Sequence, residues 1–272
     1  MDNRSIGVFD SGLGGLTVVK ELMRALPFEN ITYLGDTART PYGTKTKETI
    51  IRFSLENTGF LRHKGVKMAV VACNTSSAIA LKKIKSSFKM PVIGVIDAGA
   101  KAAVKAAKGR TIGVIGTKAT ISSGAYESAI KKISPKTRIF VRAAPLLVPL
   151  VEEGWLKEKE TEAVLRKYLR FFRERKIGVL VLGCTHYPLL KPLIKKIMPG
   201  VGIIDSAGET AREVVSFIGR KNFQRRSKIK GRARFFVTDT PEAFNKVGKM
   251  FLKKSMVAAK KIALKSVKGG VK

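Results

Sequence analysis

Short apolar runs alternate along this chain with stretches in which apolar positions return every three or four residues. Ile6-Gly7-Val8-Phe9 reads as a strand, and Leu16, Val19, Leu22, Met23 and Leu26 follow at helical spacing until Pro27 stops the helix. Ile31 to Leu34, Met68 to Ala72, Val92 to Ile96, Thr111 to Ile115, Val179 to Leu182 and Arg234 to Val237 are further strands by the same criterion. Phe244, Val247 and Phe251 mark a last amphipathic helix after Pro241, and residues 219–231 read as a basic, polar connector. Strands that are apolar throughout belong to parallel sheets covered on both faces, so the pattern predicts an α/β fold. In such sheets ligands bind beyond the carboxyl ends of the strands.

The pattern also repeats. Ile6 to Ser11 resembles Ile112 to Thr117, Val70 to Thr75 resembles Leu180 to Thr185, and Val95 to Gly99 resembles Ile203 to Ala207. The order is kept and the offset is nearly constant, which predicts two related α/β halves. Apolar strands look alike, and a single match would carry little. Both cysteines of the chain, however, fall at matching strand ends.

Composition narrows the class. The chain has 272 residues, of which 44% are hydrophobic, enough to build a core. No apolar stretch approaches the roughly 18 residues of a membrane span. The N-terminus lacks a basic-then-apolar leader pattern, and two cysteines cannot make a disulfide scaffold, so a reducing cytoplasm is expected. The charge is unusual: 53 Lys+Arg against 20 Asp+Glu give +33. The excess rises from +6 over residues 1–100 to +12 over 101–218 and +15 over 219–272. Such a field attracts polyanions and small acids alike.

The chemistry centres on Cys73-Asn74-Thr75 and Cys184-Thr185-His186. A thiol at a strand's carboxyl end faces the ligand crevice with backbone N–H groups nearby, which favours the thiolate. Two buried, inert cysteines are the bland alternative. The repeat argues against it, because two like groups from two related halves can approach one substrate from opposite sides. Inverting a carbon centre needs that arrangement, a base on one face and an acid on the other. Asp10 before the glycine turn Ser11 to Gly15, Glu152, and His186 are the candidate assistants. His63 lies in a basic stretch and reads as surface. Gly12-Leu13-Gly14 with Asp36 after the next strand begins like a dinucleotide fingerprint, but Thr17 stands where the third glycine belongs. No metal-ligand spacing is visible.

Taken together, Val8 to Thr17, Tyr33 to Arg39, Pro41-Tyr42-Gly43, Cys73-Asn74-Thr75, Gly94-Val95-Ile96 and Gly183 to Leu190 resemble the glutamate racemases, the cofactor-independent family that supplies D-glutamate for peptidoglycan. The resemblance implies Cys73 and Cys184 as the acid/base pair, Cys73 deprotonating D-glutamate and Cys184 L-glutamate, with Asp10, Glu152 and His186 as helpers. It implies Ser11, Tyr42, Gly43, Asn74, Thr75 and Thr185 as substrate contacts together with Asp10 and His186, and adds Thr117 and Thr120. It further implies two α/β domains with the site in the cleft between them: residues 1–97 with 206–252, and 98–205. Residues 253–272 remain as a basic tail, expected to be a frayed helix or disordered. No cofactor and no metal are expected, and a homodimer is. Two other readings stay open: a racemase of another acidic amino acid such as aspartate, and a nucleic-acid-binding protein on a racemase scaffold. The charge favours the second, and the low aromatic content of 7% weakens it.

Overall fold

Strand β1 (Ile6–Asp10) is buried at every position, as are β2 (Ile31–Gly35) and β3 (Met68–Val71). That is the burial their unbroken apolar sequence calls for. Side chains alternate between faces. Ile6, Val8, Tyr33 and Val70 point into one apolar cluster, while Phe9, Leu34, Ala69 and Val71 point into another. The computed structural model describes residues 2–225, 227, 229–252 and 258–264.

β4 (Val92–Gly94) completes the opening series of the first half. β5 (Ile112–Gly116), β6 (Ile139–Ala143), β7 (Val179–Gly183) and β8 (Gly202–Asp205) form the second half. β9 (Ala233–Val237) and β10 (Lys260–Lys261) return to the first. Among the described residues all pairings are parallel. One sheet has the order β10-β9-β2-β1-β3-β4 and the other β6-β5-β7-β8. The segment β2-β1-β3-β4 therefore has the same order as β6-β5-β7-β8, so the sequence repeat is a repeat of topology. The fold is α/β, two related halves with parallel sheets.

Three features differ from the sequence reading. β6 carries Arg142 and is half-buried along its length, which suits the edge strand that it is. The stretch expected as a strand from Val92 to Ile96 stops at Gly94, and a helix begins at Ile96. Within the expected tail, Lys260–Lys261 is a strand on β9, and Ile262 and Leu264 pack against the apolar cluster of the first sheet. Solvated lysines on an edge strand hide this from a hydropathy pattern. Residues 253–257 and 265–272 of that tail lie outside the described residues.

The helix Leu16–Ala25 buries Leu16, Val18, Val19 and Leu22. The helix Pro241–Leu252 buries Phe244 and Phe251. Among the described residues, no helix is long and apolar enough to cross a membrane.

Candidate active site

In each sheet the chain steps to one side of its first strand and then crosses to the other, so strand order reverses at β1/β3 and at β5/β7. Crevices at the carboxyl ends of such strands are where open α/β sheets bind ligands. Asp10 is the last residue of β1, Cys73 follows β3, Thr117 follows β5, and Cys184 follows β7. Both cysteines are free thiols. They line one small pocket together with Ser11, Tyr42, Gly43, Asn74, Thr75, Thr117, Thr185 and His186. The two sheets thus present their switch points to a shared cleft.

Local geometry explains how each thiol is held. Cys73 caps the helix Asn74–Ile79, its Sγ accepting from the Ser76 backbone N–H at 3.5 Å, and its thiol donates to Ser11 Oγ at 3.7 Å. Contrary to the expected thiolate, burial, and secondarily the Asp10 charge, outweigh the Ser76 N–H and push the Cys73 pKa up to about 11. Cys184 has a different neighbour: its Sγ lies 3.7 Å from His186 Nδ1, and His186 Nε2 lies 3.0 Å from Glu152 Oε1. Burial alone would hold the imidazole neutral. The hydrogen bonds to Cys184 and Glu152 outweigh it and push the His186 pKa up to about 10. His186 also meets Phe251 edge-on, ring centres 5.9 Å apart, so the C-terminal helix buttresses it. Asp10 is fully buried. It accepts from the Gly12 N–H at 3.1 Å and from Thr185 Oγ1 at 3.3 Å, and burial raises its pKa although the His186 charge opposes this.

Among the described residues, three sets of side-chain hydrogen bonds cross the cleft. Thr185 to Asp10 is one. The hydroxyls of Thr75, Thr117 and Thr120 form a triangle with sides of 2.9, 3.1 and 2.9 Å. Tyr126 donates to Asn74 Oδ1 at 2.7 Å. The space left in the pocket is about 20 Å³, which holds about one water and no amino acid.

Some expected residues act at one remove. Asp10 and Glu152 reach the pocket through Thr185 and His186, and Thr120 through Thr75 and Thr117. The Tyr42 hydroxyl is engaged elsewhere, although the residue lines the pocket: it donates to Asp36 and accepts from Asn57 Nδ2 at 3.0 Å. Thr40, Pro41 and Val148 also line the pocket. Only the Pro41-Tyr42-Gly43 turn signal hinted at them, and Val148 is indistinguishable in sequence from a core residue. Tyr126, on the helix Ala125–Ile133, gave no signal either.

The nucleotide-like motif finds a physical explanation. A Cβ on Gly14 would collide with Thr185 Oγ1 and come within 2.7 Å of His186 Nδ1, so the second half occupies the space above the glycine turn. Asp36 is fully buried. Its carboxylate accepts from Arg39 Nε at 2.7 Å, from Thr238 Oγ1 at 3.0 Å and from Tyr42. It organises the 39–43 loop and is not free to hold a ribose. His63 ends its helix, exposed, as expected.

Known proteins with this architecture share the sequence as well. The family model for Asp/Glu/hydantoin racemases matches residues 6–214. Glutamate racemase from Geobacter metallireducens is 48% identical over 250 residues, covering 92% of this chain and 93% of its own. The crystal structure of glutamate racemase from Francisella tularensis in complex with D-glutamate superposes with a TM-score of 0.92 at 42% identity, covering 98% of this chain and all of its own. An aspartate racemase homologue from Pyrococcus horikoshii superposes with a TM-score of 0.58 at 19% identity over 79% of this chain and 99% of its own, a likeness of fold alone. The matched segments carry both cysteines, both switch points and the glycine turn between them: the chain belongs to the Asp/Glu/hydantoin racemase family.

Proposed function

We propose that this chain interconverts L- and D-glutamate without a cofactor, by proton transfer between two thiols. The observation that carries the reading is that Cys73 and Cys184, one from each half, line the same pocket. With L-glutamate bound, the Cys184 thiolate takes the α-proton from one face, and the Cys73 thiol delivers its proton to the other. With D-glutamate the roles exchange. The imidazolium of His186, held by Glu152, stabilises the Cys184 thiolate. Burial and the nearby Asp10 charge keep Cys73 protonated at rest. Asp10 positions Thr185, and Ser11, Asn74, Thr75, Thr117, Thr185, Gly43 and Tyr42 surround the substrate. The closed pocket is too small for glutamate, so the halves part to admit it and close to exclude water.

Glutamate is preferred over aspartate as substrate because the similar sequence from Geobacter metallireducens is a glutamate racemase, whereas the aspartate-type likeness is of fold alone. On this reading the chain works as a homodimer in the reducing cytoplasm and feeds D-glutamate to peptidoglycan. The net charge of +33 adds weak, sequence-independent nucleic-acid binding at low salt.

The test is incubation with L-glutamate in deuterated water without added cofactor, followed by polarimetry and α-proton NMR. Optical rotation should decay to zero while deuterium enters the α-position, and L-aspartate should turn over far more slowly. Equal turnover of aspartate, or no loss of rotation, contradicts the proposal.

A further inference from the structure

Proton transfer between the thiols makes no use of Asn74 Nδ2. That atom is buried and has no hydrogen-bond partner among the described residues, and Asn74, 3% exposed, lines the pocket. A buried donor without an acceptor calls for one. Its orientation has a visible cause. Asn74 Oδ1 accepts from the Tyr126 hydroxyl at 2.7 Å, which fixes which end of the amide faces Tyr126 and leaves the NH2 on the other side. Tyr126 belongs to the second half and Asn74 to the first, so the bond spans the cleft.

The fold makes room for this phenol. A Cβ on Gly99 would lie 3.2 Å from the Tyr126 hydroxyl oxygen, and a Cβ on Gly183 would lie 3.1 Å from its ring. Tyr126 itself is 2% exposed. Burial raises its pKa, so the hydroxyl keeps the proton that it donates.

We propose that Tyr126 is a positioning residue for substrate binding: from across the cleft its hydroxyl locks the Asn74 amide with Nδ2 turned to the pocket, where it donates to a carboxylate oxygen of the bound amino acid. Because the two residues come from opposite halves, the donor is set only when the cleft is closed. Capture of the carboxylate and closure then favour each other. The identity of the anion rests on the racemase reading; the lock on the amide does not.

A double-mutant cycle tests it. Tyr126→Phe removes the hydroxyl alone and should raise KM for both enantiomers about tenfold, the scale of one hydrogen bond to a charged group, with kcat within about twofold. Asn74→Ala should raise KM by a similar factor. In the Asn74→Ala background, Tyr126→Phe should then have no further effect on KM. A loss of stability alone would instead persist in both backgrounds. An unchanged KM in Tyr126→Phe, or multiplicative effects in the double variant, overturns the proposal. Running the same cycle on the Kd of L-glutamate by calorimetry gives the answer even without turnover. A cycle on Kd that shows the expected coupling, with wild-type protein that fails to racemise glutamate, would contradict the racemase reading and leave the lock standing.

Discussion

Cys73 and Cys184 stand at equivalent points of equivalent sheets, yet they keep different company. Around Cys73 are a hydroxyl, Ser11, and a helix N–H, that of Ser76. Around Cys184 is a histidine backed by a carboxylate. The strand orders β2-β1-β3-β4 and β6-β5-β7-β8 coincide, but the polar side chains at their ends do not. The backbone repeat therefore decides where two thiols stand, and the unlike neighbours give each a different surrounding: hydroxyl and helix N–H at Cys73, imidazole and carboxylate at Cys184. On the proposed reading, a symmetrical reaction is run by a site whose resting state is unsymmetrical. L- and D-glutamate are equal in energy, so kcat/KM must still be the same in both directions. The asymmetry can show only in steps that touch one enantiomer.

Removing either sulfur is the largest perturbation. Cys73→Ser and Cys184→Ser should each lower racemisation by at least ~10³-fold by polarimetry, towards the upper end of what one acid/base group contributes. Full activity in either variant would remove the two-thiol account. A milder change separates the two sides. His186→Asn takes the charged partner from Cys184 and should cost ~10²-fold in kcat. Ser11→Ala takes a hydroxyl from Cys73 and should cost about tenfold or less. Equal losses would mean that the neighbours are interchangeable and the comparison is empty.

The acid–base difference can also be read from stability. Folding raises the Cys73 thiol from 9.0 to about 11. A group raised in this way gives stability that is fully present below pH 9 and is lost as pH rises towards 11. Wild type should thus lose about 2 kcal/mol across that window in denaturant melts, and Cys73→Ser should lose less. A wild-type curve parallel to that of the variant would show that Cys73 is not shifted. The smallest effect concerns the overall charge. If the +33 field concentrates anionic glutamate at the cleft, kcat/KM should fall a few-fold as salt shortens the screening length from about 10 Å at 0.1 M to about 3 Å at 1 M. A flat profile would leave the charge without a part in catalysis.

Much of this molecule is legible in its sequence, for physical reasons that also mark where legibility stops. Strands buried on both faces, such as Val8-Phe9 or Leu180-Val181, must be apolar throughout, and that pattern survives reading residue by residue. Edge strands need not be. Arg142 on β6 and Lys260–Lys261 on β10 meet solvent, so hydropathy says nothing of them. The thiols were readable because their repeat puts them at matching strand ends. His186 was readable beside Cys184, and Asp10 and Glu152 were named as assistants, but which atom each of them meets was not. Glu152 finds His186, and Tyr126 finds Asn74, through packing between segments far apart in sequence. An aromatic among alanine and serine on the helix Ala125–Ile133 looks like any core residue. Tyr42 shows the opposite case, a residue of the right motif whose hydroxyl serves the loop through Asp36 and Asn57.

The most direct measurement follows α-proton exchange of each enantiomer separately in deuterated water, in each single-cysteine variant. Cys73→Ser keeps the thiol that attacks L-glutamate, so deuterium should enter L-glutamate and not D-glutamate. Cys184→Ser should show the reverse. Exchange into the same enantiomer in both variants, or into both enantiomers in either, would contradict a site in which each sulfur serves one face of the substrate carbon.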